Sequence, residues 1–211
     1  MGQRPGPLLL VGGNEFRPGN EPQDAAFAEW CEDRPAHVVV TAAVRHDPDA
    51  AVRHAVDWFD ALGLRMTELP MRTRTQAKSQ ASVEAARAAG ATYLCGGDPG
   101  IVVTTLRDTA GWEALIAAWR DGAVLAGSSA GAMALGEWTL LKGRMPGDHE
   151  RRYADALNLV PGVAVIPHWD EFGATWAPSA ESGRPRTDVV LLGLDYGTAA
   201  VWDGAAWRAM G

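Results

Sequence analysis

The chain has 211 residues, 47% of them hydrophobic and 21% charged, with 26 acidic side chains against 19 Lys and Arg for a net charge of −7. That length suits one globular domain with a well-buried core, expected to span residues 1–211. The acidic balance, with no Lys/Arg-rich run, argues against nucleic acid and anionic membrane surfaces as partners.

The run Leu8-Leu9-Leu10-Val11 with two following glycines is too short for a signal-peptide core and carries no cleavage pattern, so a first strand of a cytoplasmic protein is expected. No stretch approaches the ~20 apolar residues of a membrane span. Residues 7–11 and 37–42 are continuous apolar runs, the pattern of strands buried on both faces. From Asp49 to Leu62, apolar residues at Ala51, Val52, Ala55, Val56, Phe59 and Leu62 predict an amphipathic helix ended by Gly63. A third strand is expected over 65–69, and a helix over 80–89 closed by Gly90. The basic cluster from Arg72 to Lys78 is short and reads as a solvated loop.

Residues 91–95 predict a strand running into Gly96-Gly97-Asp98-Pro99-Gly100. A long helical region follows over 101–119, broken near Gly111, and then the strand Ala123-Val124-Leu125-Ala126. Strands are expected over 138–141, 163–166, 189–192 and 199–202, the last ~25 residues closing the sheet edge as an antiparallel hairpin. Repeated βα alternation implies an α/β fold, a mostly parallel sheet with helices on both faces. Cys31 and Cys95 are widely spaced and outside any CxxC, so free thiols are expected. The nine tryptophans are scattered and read as core and pocket wall.

Gly127-Ser128-Ser129-Ala130-Gly131 joins a predicted strand to a helix-compatible stretch, the context a nucleophile elbow requires. The glycines let the backbone reverse without a clashing Cβ, which pushes Ser129 to the tip of the turn. Ser129 also falls at a helix N-terminus, where unpaired N–H groups favour a developing oxyanion. Gly/Ser-rich turns of this kind also occur with no chemistry attached, so the rest of the chain must decide.

A serine hydroxyl needs an adjacent base. Of five histidines, His37 opens an apolar strand, His46 and His54 precede Leu62, and His149 lies in a charged loop. His168 follows Val163-Ala164-Val165-Ile166-Pro167, at the carboxyl end of a predicted strand, where open α/β sheets place their active sites. Strand alternation puts Asp170 on the side of His168, which favours it as the orienting acid. Glu137 is the second candidate, and Asp148 and Asp195 remain open. Ala130 and Gly97 are the candidate oxyanion donors. There is no Walker A sequence, no HExxH, no metal-ligand spacing of histidines, and Val11-Gly12-Gly13-Asn14-Glu15 lacks the third glycine of a dinucleotide fingerprint. Neither metal nor cofactor is expected.

Gly96-Gly97-Asp98, then Gly127-Ser128-Ser129-Ala130-Gly131-Ala132, then Ile166-Pro167-His168 resembles the serine peptidases that comprise peptidase E (aspartyl dipeptidase) and cyanophycinase. Leu10-Val11-Gly12-Gly13 and Gly193-Leu194-Asp195-Tyr196-Gly197-Thr198-Ala199 are similar to cyanophycinase segments. The resemblance spans nearly the whole chain in order. It implies a fold like class I glutamine amidotransferases, with serine where those enzymes carry cysteine. It also implies Ser129 as nucleophile, His168 as base, and Gly97 and Ala130 as oxyanion donors. Tyr196 stands where cyanophycinases have a glutamate. Peptidase E has an aspartate after the nucleophile helix, where this chain offers Arg144 and then Asp148. Peptidase E selects an N-terminal aspartate with an arginine downstream of the histidine, so Asp98, Arg184 and Arg186 are the candidate substrate contacts.

The expectation is a cytoplasmic serine hydrolase, monomeric or homodimeric, that cleaves small peptides through an acyl-enzyme on Ser129, as a dipeptidase. The alternatives are a cyanophycinase-like or other amide or ester hydrolase, and a catalytically silent amidotransferase-like binding subunit.

Overall fold

The computed structural model describes residues 4–142 and 150–211; Arg144, Asp148 and His149 lie outside the described residues. The chain opens with β1 (Leu8–Val11), α1 (Glu21–Trp30), β2 (Ala36–Val39), α2 (Pro48–Ala61) and β3 (Met66–Glu68). Then come α3 (Arg74–Ala77), α4 (Gln80–Ala88), β4 (Ala91–Leu94), α5 (Pro99–Leu106), α6 (Ala110–Arg120) and β5 (Val124–Ser128). The remainder is α7 (Ala130–Leu135), β6 (Gly136–Lys142), β7 (Arg151–Asp155), β8 (Val160–Ile166), α8 (Ala177–Ser182), β9 (Val190–Gly193), β10 (Ala199–Trp202) and β11 (Trp207–Met210).

The main sheet has seven strands in the order β11-β10-β1-β5-β4-β2-β3. Strands β1, β5, β4, β2 and β3 are parallel, and β10 and β11 complete the β1 side antiparallel. Successive side chains of a strand face opposite ways. Accordingly Leu8 and Leu10 of β1 enter one core with Leu94, Leu125, Val102, Leu115 and Met133. Leu9 and Val11 enter the other with Phe27, Phe59, Tyr93, Val124 and Ala126. Helices α1 and α2 cover the second face, and α3 to α7 the first. Both faces are buried, which is why these strands read as unbroken apolar runs. Cys31 and Cys95 are buried free thiols.

Two features depart from the sequence reading, and a third, the break expected near Gly111, gains its physical cause. The 72–78 stretch holds the short helix α3, because Thr73 and Gln76 form a reciprocal capping box there. The long helical region breaks before Gly111, where Asp108 takes φ 55 and Thr109 caps α6 through the Trp112 N–H. Most consequential, the strands over 138–141, 163–166 and 189–192 do not join the main sheet. They form a separate four-stranded sheet in the order β7-β6-β8-β9. Helix α7 runs into β6 with no loop, which carries the chain away over the first core face. An apolar run announces a strand but not the sheet it will enter.

Among the described residues, no helix is long and apolar enough to cross a membrane.

Candidate active site

The carboxyl ends of β1, β4, β5 and β8 meet at one edge of the fold, where crevices of open α/β sheets lie. At the end of β5 the chain reverses through Ser129, whose φ of 48° and ψ of −111° are far from ordinary for a residue bearing a Cβ. Such backbone costs of order 1–3 kcal/mol and persists only where its surroundings hold it. Here the Ser129 N–H donates to the Val11 carbonyl at 3.0 Å, and the Ser129 carbonyl accepts from the Met133 N–H at 2.9 Å. The flanking glycines are required by close approach. A Cβ on Gly127 would lie 2.7 Å from the Gly131 carbonyl carbon, and one on Gly131 would lie 2.3 Å from the Leu94 oxygen.

His168 follows β8, also at positive φ, 53°. Its N–H donates to the Gly12 carbonyl at 2.8 Å, and its own carbonyl accepts from the Phe172 and Gly173 N–H groups at 3.1 and 2.7 Å. The ring lies on Gly13, where an added Cβ would come within 2.1 Å of Cε1. Phe172 stacks on it at 4.9 Å and Tyr196 meets it edge-on at 4.8 Å. This cage aims Nε2 at the Ser129 hydroxyl oxygen, 2.7 Å away. Burial lowers the His168 pKa, and the charges of Glu15, Glu171 and Asp170 act in the opposite direction. A neutral imidazole at pH 7 can accept a proton.

The other ring nitrogen is different. Nδ1 is buried and has no hydrogen-bond partner among the described residues. Neither candidate acid reaches it. Asp170 accepts the Tyr196 N–H at 3.0 Å. Glu137, in the second sheet, accepts the Gly162 N–H at 2.7 Å and pairs with Arg186 at 3.2 Å. The alternation argument for Asp170 fails because β8 stops at Ile166. Past that point the left-handed His168 turns the chain, and the two-residue facing of a strand no longer holds. Asp195 is exposed, with its backbone oxygen against Gly12.

Gly97, at φ 138°, follows β4, and a Cβ there would lie 2.1 Å from the Ala42 oxygen. No backbone carbonyl among the described residues accepts the Gly97 N–H. Ala130 is the first residue of α7, where N–H groups lack intrahelical partners. Both N–H groups are therefore without a backbone acceptor among the described residues.

A cleft of about 670 Å³ opens over Ser129, His168 and Gly97. Ile101, Met133, Leu140, Leu141, Phe172 and Trp176 give it apolar walls, and Arg45, Lys142, Arg151 and Arg152 make it cationic. Asp98 lines it too, capping α5 through the Ile101 N–H and facing Arg45 at 3.8 Å. The two arginines named for substrate contact are elsewhere. Arg184 donates to the Val189 carbonyl and pairs with Glu181, and Arg186 pairs with Asp188 and Glu137. The cleft cations come instead from the short 3-10 turn Thr41–Ala43 and the residues just after it, and from β6 and β7, segments without a motif to reveal them. Among the described residues, no three or more His, Cys, Asp or Glu side chains converge to hold a metal ion.

An elbow serine facing a histidine on an α/β sheet is the arrangement of a serine-type hydrolase. The model of peptidase family S51 matches residues 8–207, and the chain belongs to that family. It is 26% identical over 206 residues to the cyanophycinase of Nostoc sp. (strain PCC 7120), covering 95% of this chain and 68% of that one. The cyanophycinase of Trichormus variabilis matches to the same extent. Among solved structures, a peptidase from an acI-B1 Actinobacterium superposes with a TM-score of 0.84 at 27% identity, over 100% of this chain and 89% of that chain. A Listeria monocytogenes EGD-e protein provisionally assigned as peptidase E shares the fold, with a TM-score of 0.68 at 15% identity over 97% and 98% of the two chains.

Proposed function

We propose that this peptidase hydrolyses small peptides, as a dipeptidase, through an acyl-enzyme on Ser129. The observation that carries the reading is the 2.7 Å contact between the Ser129 hydroxyl and His168 Nε2. Nε2 takes the hydroxyl proton as Oγ attacks the scissile carbonyl carbon, and the Gly97 and Ala130 N–H groups receive the resulting oxyanion. Nε2–H then protonates the departing amine. Water, deprotonated by the same nitrogen, releases the acyl group and restores the hydroxyl.

The cationic rim of the cleft favours substrates with a nearby carboxylate, either a free C-terminus or an acidic side chain. An N-terminal aspartyl preference is one form of that selectivity, now assigned to Arg45, Lys142 and Arg152 rather than Arg184 and Arg186. The cyanophycinase relatives support the neighbouring reading, a cyanophycinase-like or other amide or ester hydrolase. The net charge of −7 supports a small-molecule substrate over nucleic acid. A cytoplasmic monomer or homodimer completes the proposal.

A panel of dipeptides with aspartyl and neutral N-terminal members, combined with fluorophosphonate labelling, tests the reading. Labelling at Ser129 with dipeptide turnover supports it. Labelling with turnover of esters or other amides only would move the substrate class. Absence of labelling would leave a silent binding subunit.

A further inference from the structure

The loop after β1 touches every part of the site. Val11 and Gly12 accept from Ser129 and His168 through their carbonyls, and Gly13 floors the imidazole. Next comes Glu15, whose two carboxylate oxygens are both engaged. One accepts the Gly96 N–H at 2.6 Å, and the other accepts the Ser128 hydroxyl at 2.9 Å. Gly96 and Ser128 are the immediate neighbours of Gly97 and Ser129. One carboxylate thus clamps the turn carrying one oxyanion donor to the elbow carrying the nucleophile. It also lines a small cavity of about 340 Å³ that reaches His168 from the side away from the substrate cleft.

Glu15 is itself held rigidly. Phe16 anchors the loop in the aromatic core against Tyr93 and Phe59, at 5.2 and 6.0 Å. The buried Asn20 amide donates to the Asn14 carbonyl at 2.7 Å. A side chain ordered this firmly on two backbone-proximal groups is suited to preorganisation.

We propose that Glu15 is a positioning residue for hydrolysis, holding the Gly97 donor and Ser129 in register and supplying, from behind His168, a negative charge that no carboxylate among the described residues supplies by a hydrogen bond at Nδ1. This rests on the reading of Ser129 as nucleophile. Among the charges around the imidazole, Glu15 raises its pKa most, ahead of Glu171 and Asp170. Arg17, His54 and Tyr196 also face the ring across the rear cavity. Arg45, His46, Asp98, Lys142, Arg151 and Arg152 line the cleft on its other side. The charge matters most once the imidazole has accepted the serine proton, because an imidazolium in a half-buried site needs a counter-charge.

The test compares Glu15→Gln, Glu15→Asp and Ser128→Ala with wild type by the pH dependence of fluorophosphonate labelling and by kcat and KM on the best dipeptide. Glu15→Gln keeps an amide oxygen for one tie but removes the charge. It is expected to lower kcat by roughly 10²-fold, the scale of losing an oxyanion donor, with KM changed by less than about threefold. Its acid limb of labelling moves to lower pH, since removing a nearby anion lowers the imidazole pKa. Glu15→Asp regains part of the rate and returns the limb toward wild type. Ser128→Ala breaks one tie and keeps the charge, so kcat falls while the limb stays in place. Should Glu15→Gln not fold, the Ser128→Ala and Glu15→Asp pair still decides. A full wild-type rate in both would overturn the clamp. An unmoved acid limb in a folded Glu15→Gln would overturn the electrostatic role. A wild-type protein that takes no label would instead overturn the nucleophile itself, and this proposal with it.

Discussion

The two sides of the His168 ring are built by different means. On the cleft side, Nε2 meets Ser129 at 2.7 Å, and each partner is fixed by backbone bonds to the end of β1. On the far side Nδ1 is buried against Gly13, with aromatic rings and second-layer charges around it and no direct acceptor among the described residues. Among the described residues, the ring is held by packing and by the His168 backbone, with no carboxylate bonded to it. The lesson is that ring orientation and counter-charge are separable. A cage can supply the first and a more distant anion the second.

The cleft side should dominate the energetics. Ser129→Ala is expected to lower kcat by roughly 10⁴-fold or more, leaving only what the oxyanion donors and binding provide. The fold should survive, because the hydroxyl contributes little packing, and a thermal melt checks this. Turnover near wild type in the purified variant would end the covalent reading. His168→Gln should cost a similar factor and abolish the acid limb of kcat/KM. In wild type that limb should fall below pH 6.5, the ordinary imidazole value, because burial outweighs the surrounding carboxylates.

In α1, within electrostatic reach of Glu15, lies Asp24, buried, accepting the Trp58 indole N–H at 2.8 Å. Burial raises its pKa from 3.8 to about 7, against the bond from Trp58, with Glu15 and Glu21 adding to the rise. The folded state therefore holds this proton more tightly than the unfolded chain. Stability is lost as pH climbs from about 4 to about 7, at roughly 1.4 kcal/mol per pH unit. Asp24→Asn keeps an oxygen for Trp58 and removes the titration. The difference in unfolding free energy between variant and wild type should grow by about 4 kcal/mol, in favour of the variant, between pH 4 and pH 8. Parallel pH profiles from denaturant unfolding would show that Asp24 does not carry this proton.

Gly13→Ala attacks the cage itself. A methyl group 2.1 Å from Cε1 must displace the imidazole, and φ of 121° at this residue adds backbone strain. Misplacing the base by about 1 Å is expected to cost roughly 10²-fold in kcat/KM, with fluorophosphonate labelling slowed in parallel. An unaffected rate would mean that the ring tolerates another seat.

The contrast also explains what could be read from the sequence. The elbow and the strand-end histidine are local: glycine spacing and apolar runs specify them within ten residues of chain. The parallel sheet with helices on both faces was legible for the same reason. The far side depends on chain reversals. Positive φ at His168 cancels the alternation that favoured Asp170, and the separate second sheet removes Glu137 from the site. Glu15 had no local signal, because its partners Gly96 and Ser128 are 81 and 113 residues away. The cleft cations were hidden likewise, as isolated residues of segments that converge only in the fold.

The smallest effects should come from the carboxylates that sequence spacing favoured. Asp170→Asn leaves an amide oxygen to accept the Tyr196 N–H and removes a charge that acts on His168 less than Glu15 or Glu171 does. Glu137→Gln keeps an acceptor for the Gly162 N–H and gives up an ion pair with a half-exposed Arg186, a contact of the kind worth roughly 0–1 kcal/mol. Neither variant should change kcat by more than about threefold, whereas removing a true triad acid costs about 10⁴-fold. The pair is informative because the losses predicted by the two arrangements differ by orders of magnitude. If Asp170→Asn lowered kcat a hundredfold, the loop from His168 to Glu171 would have to rearrange on substrate binding to bring that carboxylate to Nδ1. Both variants staying close to wild type while Glu15→Gln fails would locate the counter-charge at the end of β1.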